Sequence, residues 1–247
     1  MRGLKKLTLM ELKMFFRDPT GAFFTMIFPL MLILVFGSIY GNGANPDFGG
    51  YGIVDVYVPS FTGMIVAISA LTNLNTEIAK AREKGILRRL KATPLRPLTI
   101  LTAKIAMIFS VTSLAMILMI VVGKSAFGLR FNGNPIEVTT AFVLSSFSFF
   151  AFGLVVASIM PNVRAAESFG FILLFLMLFL SGVFVPFEIV PDAVQQVAQI
   201  FPMTHVTTLM RGLWIGQSLV EHMKEVAVLL GILVAGVIIS AKIFRWE

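Results

Sequence analysis

The chain has 247 residues, of which 57% are hydrophobic and 13% charged, with a mean hydropathy of +0.90. A water-soluble domain carries roughly a quarter of its residues as charges, so these are too few to coat a surface in water, and lipid is part of the solvent. The net charge is +7, but the basic residues flank apolar runs, which ties them to membrane orientation and argues against nucleic acid.

The residue types narrow the chemistry further. Cysteine is absent, which excludes disulfides, thiolate metal sites and cysteine nucleophiles. There are 24 Phe against 2 Trp and 3 Tyr. Phe sits comfortably in hydrocarbon, whereas Trp and Tyr prefer the interface.

Residues 1–20 come first. Between 4 and 17 they read as an amphipathic helix, with Lys6, Lys13 and Arg17 on one side and Leu4, Leu7, Met10 and Met14 largely opposite. Two readings stand: a helix lying in the interface plane, or a plain basic anchor. Asp18-Pro19 then breaks the chain and turns it into the bilayer.

Six uncharged runs follow, each long enough to cross about 30 Å of hydrocarbon, which takes roughly 20 helical residues. They cover 22–40, 56–76, 105–123, 138–161, 168–187 and 226–241, and none contains Asp, Glu, Lys, Arg or His. Backbone groups in lipid must be satisfied within the segment, so helices are expected; the runs lack the alternation of barrel strands. The expectation is an all-α membrane protein, with residues 1–247 as a single transmembrane domain.

Orientation follows from Lys and Arg. With a cytoplasmic N-terminus, sixteen of the 20 fall inside, and only Lys124, Arg130, Arg211 and Lys224 fall outside. Both termini are therefore expected in the cytoplasm. Outside, 41–52 and 124–137 are short loops. Residues 188–225 are long yet apolar, and Pro191 and Pro202 divide them. Two short helices re-entering the outer leaflet fit this segment.

The inner segment 77–98 is the most informative. Glu77 to Lys84 favours helix, Gly85 permits a left-handed stop, and Ile86, Leu87 and Leu90 alternate with Arg88, Arg89 and Lys91 before Thr93, Pro94 and Pro97 end the run. A charged elbow with an apolar face suits a partner's groove. A basic loop on anionic headgroups is the other reading.

With those residues in view, the chain resembles the membrane subunits of type-2 ATP-binding-cassette exporters, and most of all bacterial drug- and antibiotic-resistance permeases. The matching positions are Glu83, Gly85, Leu90, Thr93 and Pro94 in the elbow. Ser181, Gly182 and Pro186 match at the end of the fifth run, and Pro202, Thr204, His205, Arg211 and Gly212 beyond it.

The resemblance implies a transport subunit that has no catalytic residues and binds no cofactor. ATP and Mg²⁺ would sit on two copies of a separate ATP-binding subunit. Gly123-Lys124-Ser125 makes no phosphate loop, because position 118 is Leu where such a loop needs Gly. It implies a homodimer, or a pair with a homologous permease, in a bacterial or archaeal plasma membrane. Coupling would fall to Glu83, Gly85, Leu87, Arg88, Arg89, Leu90, Thr93 and Pro94. The pathway would be lined by Ser60, Thr62, Ser69, Asn73, Asn75, Phe175 and Phe179, with Val183 and Phe184 as an outer gate. Packing against lipid is the alternative for the Phe residues, and bonding to their own helix for the hydroxyls.

The expected cargo is an amphipathic drug-like or lipid-like molecule, with a polysaccharide or lipid-linked glycan as the alternative. An ion-coupled carrier is disfavoured because no run holds an ionisable residue. His205 and His222 are isolated, and the Met residues do not cluster, so no metal site is expected.

Overall fold

The computed structural model describes residues 2–86, 97–184 and 191–243. In chain order the helices are α1 (Arg2–Phe15), α2 (Pro19–Tyr40), α3 (Ile53–Glu83), α4 (Pro97–Phe127), α5 (Pro135–Ile159), α6 (Val163–Leu180), α7 (Asp192–Ala198), α8 (Pro202–Ile215) and α9 (Leu219–Ile243). Six of them, α2 to α6 and α9, are long and apolar enough to cross a membrane. Among the described residues there is no strand.

The helices overrun the uncharged runs in the sequence. A charge ends a run, but it does not end a ladder of backbone hydrogen bonds. Thus α3 begins at Ile53 and continues through Glu77 and Arg82 to Glu83. This brings an acid, Asp55, into the first turn of a membrane-length helix, where it is 1% exposed. The expectation that these helices lack ionisable residues is corrected there.

α3 is the central rod. Its most apolar 18-residue stretch is 100% buried, whereas that of α9 is 11% buried. Glycines on its neighbours permit the close approach that helix packing in lipid relies on. A Cβ at Gly153 would lie 2.5 Å from the Ala70 carbonyl oxygen, and one at Gly170 would lie 2.2 Å from that of Leu71. Both carbonyls belong to a π-helical stretch of α3, Ser69–Leu74. A second π turn, Phe23–Ile27, interrupts α2.

α1 turns a mixed face inward. Phe15 and Glu11 are each 7% exposed, while Met10 and Met14 are on the open side. The polar member of that face is tolerated because Lys104 of α4 meets Glu11 at 2.9 Å.

Candidate functional site

The site is built at the end of the bundle where α1, the last turns of α3 and the start of α6 meet. Asp18 begins it. Its Oδ1 accepts from the Thr20 and Gly21 amides at 3.1 and 3.3 Å, and Pro19 occupies the first helical position of α2. The pair read in the sequence as a chain break is thus also the N-cap of α2. In the next turn Thr25 donates to the Gly21 carbonyl at 2.8 Å, and Asn73 of α3 donates to the Thr25 hydroxyl at 2.6 Å. The two π turns are therefore tied directly to each other.

An ion cluster fastens the same region. Lys104, 5% exposed, lies 2.9 Å from Glu11 and 3.6 Å from Glu77, and Glu77 in turn lies 3.8 Å from Lys80. It joins α1, α3 and α4. Each buried charge here has an opposite charge beside it, the condition under which such groups are tolerated in a low-dielectric interior.

α3 ends in an elbow bound to the α5–α6 junction. Gly85 takes φ +62° and donates its amide to the Arg82 carbonyl at 2.9 Å, the left-handed stop expected of a glycine there. The Arg82 guanidinium donates to the carbonyls of Ala157 and Met160. The Glu83 carboxylate accepts from the Val163 amide at 2.9 Å and so satisfies an open donor of the first turn of α6. Of the other elbow positions, Leu87, Arg88, Arg89, Leu90, Thr93 and Pro94 lie outside the described residues.

Between these elements lies a cavity of about 430 Å³. Met14, Phe15, Phe24, Met107 and Phe171 supply apolar wall; Thr72, Asn73 and Thr76 supply neutral polar groups. Among the described residues, four carboxylates, those of Glu11, Asp18, Glu77 and Glu167, also line it, against one ammonium, Lys80.

Most of the polar residues assigned to a pathway are placed inside the chain. Ser60 and Thr62 donate to the Val56 and Val58 carbonyls of their own helix at 2.8 and 3.0 Å. Ser69 accepts from Thr112 at 2.8 Å. Asn75 donates to the Ala166 carbonyl of α6 at 2.7 Å. Of this set only Asn73 lines the cavity. Phe175 and Phe179 are 49% and 66% exposed on α6, turned away from the chain's interior.

At the opposite end Val183 is fully buried. Phe184 closes an aromatic row: its ring lies 6.2 Å from Phe61 and 5.9 Å from Phe179, and its carbonyl accepts from the Tyr57 hydroxyl at 2.9 Å. Asp55 anchors the loops there. It accepts from the Arg130 amide and Nε at 2.8 and 2.9 Å, from Asn42 at 2.9 Å and from the Gly52 amide at 3.1 Å. Trp214 of α8 donates to the Arg130 carbonyl at 3.1 Å. Asp55 is thus fully engaged as a structural acid, which leaves it unsuited to binding a coupling ion.

The motif beyond α6 also has a packing basis. Thr204 and His205 tie the first turn of α8 back to the Ala198 and Gln199 carbonyls at 2.6 and 2.9 Å. Gly212 leaves room for the His222 ring: a Cβ there would lie 2.0 Å from it, so the ring would have to shift. Sequence reasoning missed the Asp55–Arg130 and Glu11–Lys104 pairs. Their signals were small: an acid three residues after Gly52, a lone acid in a basic helix, and a lysine at the edge of an apolar run.

Six membrane-length helices, a glycine-stopped elbow and no strand among the described residues define a polytopic membrane protein. The profile described as "ABC-2 family transporter protein" matches residues 46–242, and the chain belongs to that family. Two curated relatives, each called "Probable multidrug ABC transporter permease YbhR", come from Escherichia coli strain K12 and Escherichia coli O157:H7. Each is 25% identical over 158 residues, or 64% of this chain and 43% of the relative. The chain thus spans less than half the length of the curated relatives it matches.

Proposed function

We propose that this chain is the transmembrane subunit of an ATP-driven exporter, coupled to a separate ATPase subunit and moving an amphipathic molecule out of the cytoplasm. Family membership supports the transporter class, and the name of the relatives suggests drug-like cargo. The basic residues favour placing the elbow, α1 and both termini on the cytoplasmic side. α1 then lies along the inner interface, and α7 and α8 form the outer re-entrant segment.

The observation that carries the reading is the attachment of the elbow. Arg82 and Glu83 are bonded to the α5–α6 junction, and Asn75, two turns earlier, is bonded to α6. A push on the elbow therefore moves α3 and α6 together. ATPase closure would bias a rigid-body switch between inward and outward access in a dimer of such chains. Glu83 and Gly85 set the elbow's shape, and the basic and apolar residues from Leu87 to Pro94 dock it. Val183 and Phe184 form the outer closure, and the exposed Phe175 and Phe179 face the second copy across the pathway.

The test is reconstitution in liposomes with the cognate ATPase subunit. ATP-dependent transport, lost in Gly85→Pro at normal expression while ATP hydrolysis continues, is the expected result. Equal transport by Glu83→Ala, Gly85→Pro and the unaltered chain removes the coupling assignment.

A further inference from the structure

Among the described residues, the lining of the cavity beside α1 carries a charge opposite to that of the chain as a whole. The protein carries +7 overall. Yet among the described residues the groups lining the cavity are four carboxylates and one ammonium, and counting Lys104 behind Glu11 and Glu77 still leaves two carboxylates in excess. Those two are identifiable. Glu11 and Glu77 are held by lysines. Among the described residues, Asp18 has only amide donors, on Oδ1, and Glu167 has no ion-pair partner.

The apolar wall is equally specific. Phe24 and Phe171 come from different helices and meet edge to face with centroids 6.1 Å apart. Aromatic faces beside unneutralised carboxylates attract organic ammonium groups, since ring quadrupole and formal charge act in the same direction. An anion would meet repulsion here. A neutral apolar molecule would leave the carboxylates uncompensated. The volume, about 430 Å³, lies within the range of small-molecule sites.

We propose that this cavity binds a small amphiphilic organic cation, with its apolar body against Phe24 and Phe171 and its ammonium held by Glu167 and Asp18. The inference rests on the transport reading and narrows its cargo by charge. The Asn73–Thr25 bond places both π turns in the same wall: Phe24 belongs to one, and Thr72 and Asn73 to the other. Occupancy is thereby connected to the helices that the elbow moves. π turns recur at functional sites.

The test is binding without nucleotide. The full chain in nanodiscs is titrated with rhodamine 6G, a fluorescent amphiphilic cation, and with a fluorescein ester as the anionic counterpart. The cation binds, the anion does not, and Glu167→Gln and Phe171→Leu each weaken the cation about tenfold. Matched melting temperatures show that both variants are folded. Unchanged cation affinity in both variants, or equal binding of the anion, overturns the site. The two readings fail separately. Binding that shows the expected variant effects, without ATP-driven export of the dye, overturns transport and leaves the site standing. ATP-driven export by Glu167→Gln with an unchanged KM for the dye overturns the site and leaves transport standing.

Discussion

Asn73 donates to Thr25 at 2.6 Å, and this one bond joins a π turn of α3 to a π turn of α2. Both residues sit in stretches where the regular backbone ladder is widened, so a side-chain bond stabilises what the backbone leaves loose. Polar bonds between membrane helices are worth about 0.6 kcal/mol on average and up to roughly 1.7 kcal/mol. Asn73→Ala and Thr25→Val are each expected to destabilise the chain within that range. The double variant should cost little more than either single one. Thermal unfolding in nanodiscs measures this cycle, and fully additive losses would contradict the bond.

The Glu11–Lys104 pair predicts a larger and strongly non-additive effect. Lys104→Met leaves Glu11 buried without its closest cation, and removing one partner of a buried pair costs about 3–5 kcal/mol. Replacing both, Glu11→Leu with Lys104→Met, recovers much of the loss, because Glu77 keeps Lys80. Denaturant titration of the two singles and the double checks this. A double variant as unstable as Lys104→Met alone would contradict it.

Much of this was legible in the sequence, and the part that was not has a physical cause. Six apolar runs read correctly as six helices, because the length needed to cross hydrocarbon leaves little freedom. Gly85 likewise carried its left-handed geometry in its own residue type, and Asp18-Pro19 marked the break between α1 and α2 without announcing the cap. The pathway residues were harder. A serine's hydroxyl in a membrane helix has its own helix carbonyl within reach, and Ser60 and Thr62 take that option. Asp55–Arg130 and Glu11–Lys104 pair residues 75 and 93 positions apart, and no local pattern announces such pairs. The cavity was invisible for the same reason. Its carboxylates come from α1, the turn before α2, α3 and α6, where each reads alone as a solvated acid.

At the end of the bundle away from the elbow, Asp55 predicts the order of the loops. It holds Gly52, Asn42 and Arg130 together. Asp55→Ala leaves several donors unmatched, at about 1–3 kcal/mol each where they are buried; the Arg130 side chain, 46% exposed, adds little. Faster protease cleavage within residues 41–52 and a lower melting temperature are expected. Arg130→Lys should give a smaller effect, because the backbone amide at position 130 remains. Cleavage at the rate of the unaltered chain would contradict the anchoring role.

Gly85 separates coupling from stability. Its φ of +62° is strained for any residue with a Cβ, although nothing lies within 4 Å of where that atom would be. Gly85→Ala therefore costs about 1–2 kcal/mol through backbone conformation alone. The predicted outcome is a modestly lower melting temperature together with a large drop in transport per ATP hydrolysed. A variant that lost stability and kept its coupling ratio would show that the elbow's shape does not matter.

The most direct measurement is transport with and without a nucleotide-hydrolysing partner. Liposomes holding this chain are loaded with rhodamine 6G, and efflux is followed with the ATPase subunit and ATP, with the subunit and a non-hydrolysable analogue, and with the chain alone. The account predicts efflux only in the first case. Comparable efflux by the chain alone would contradict it.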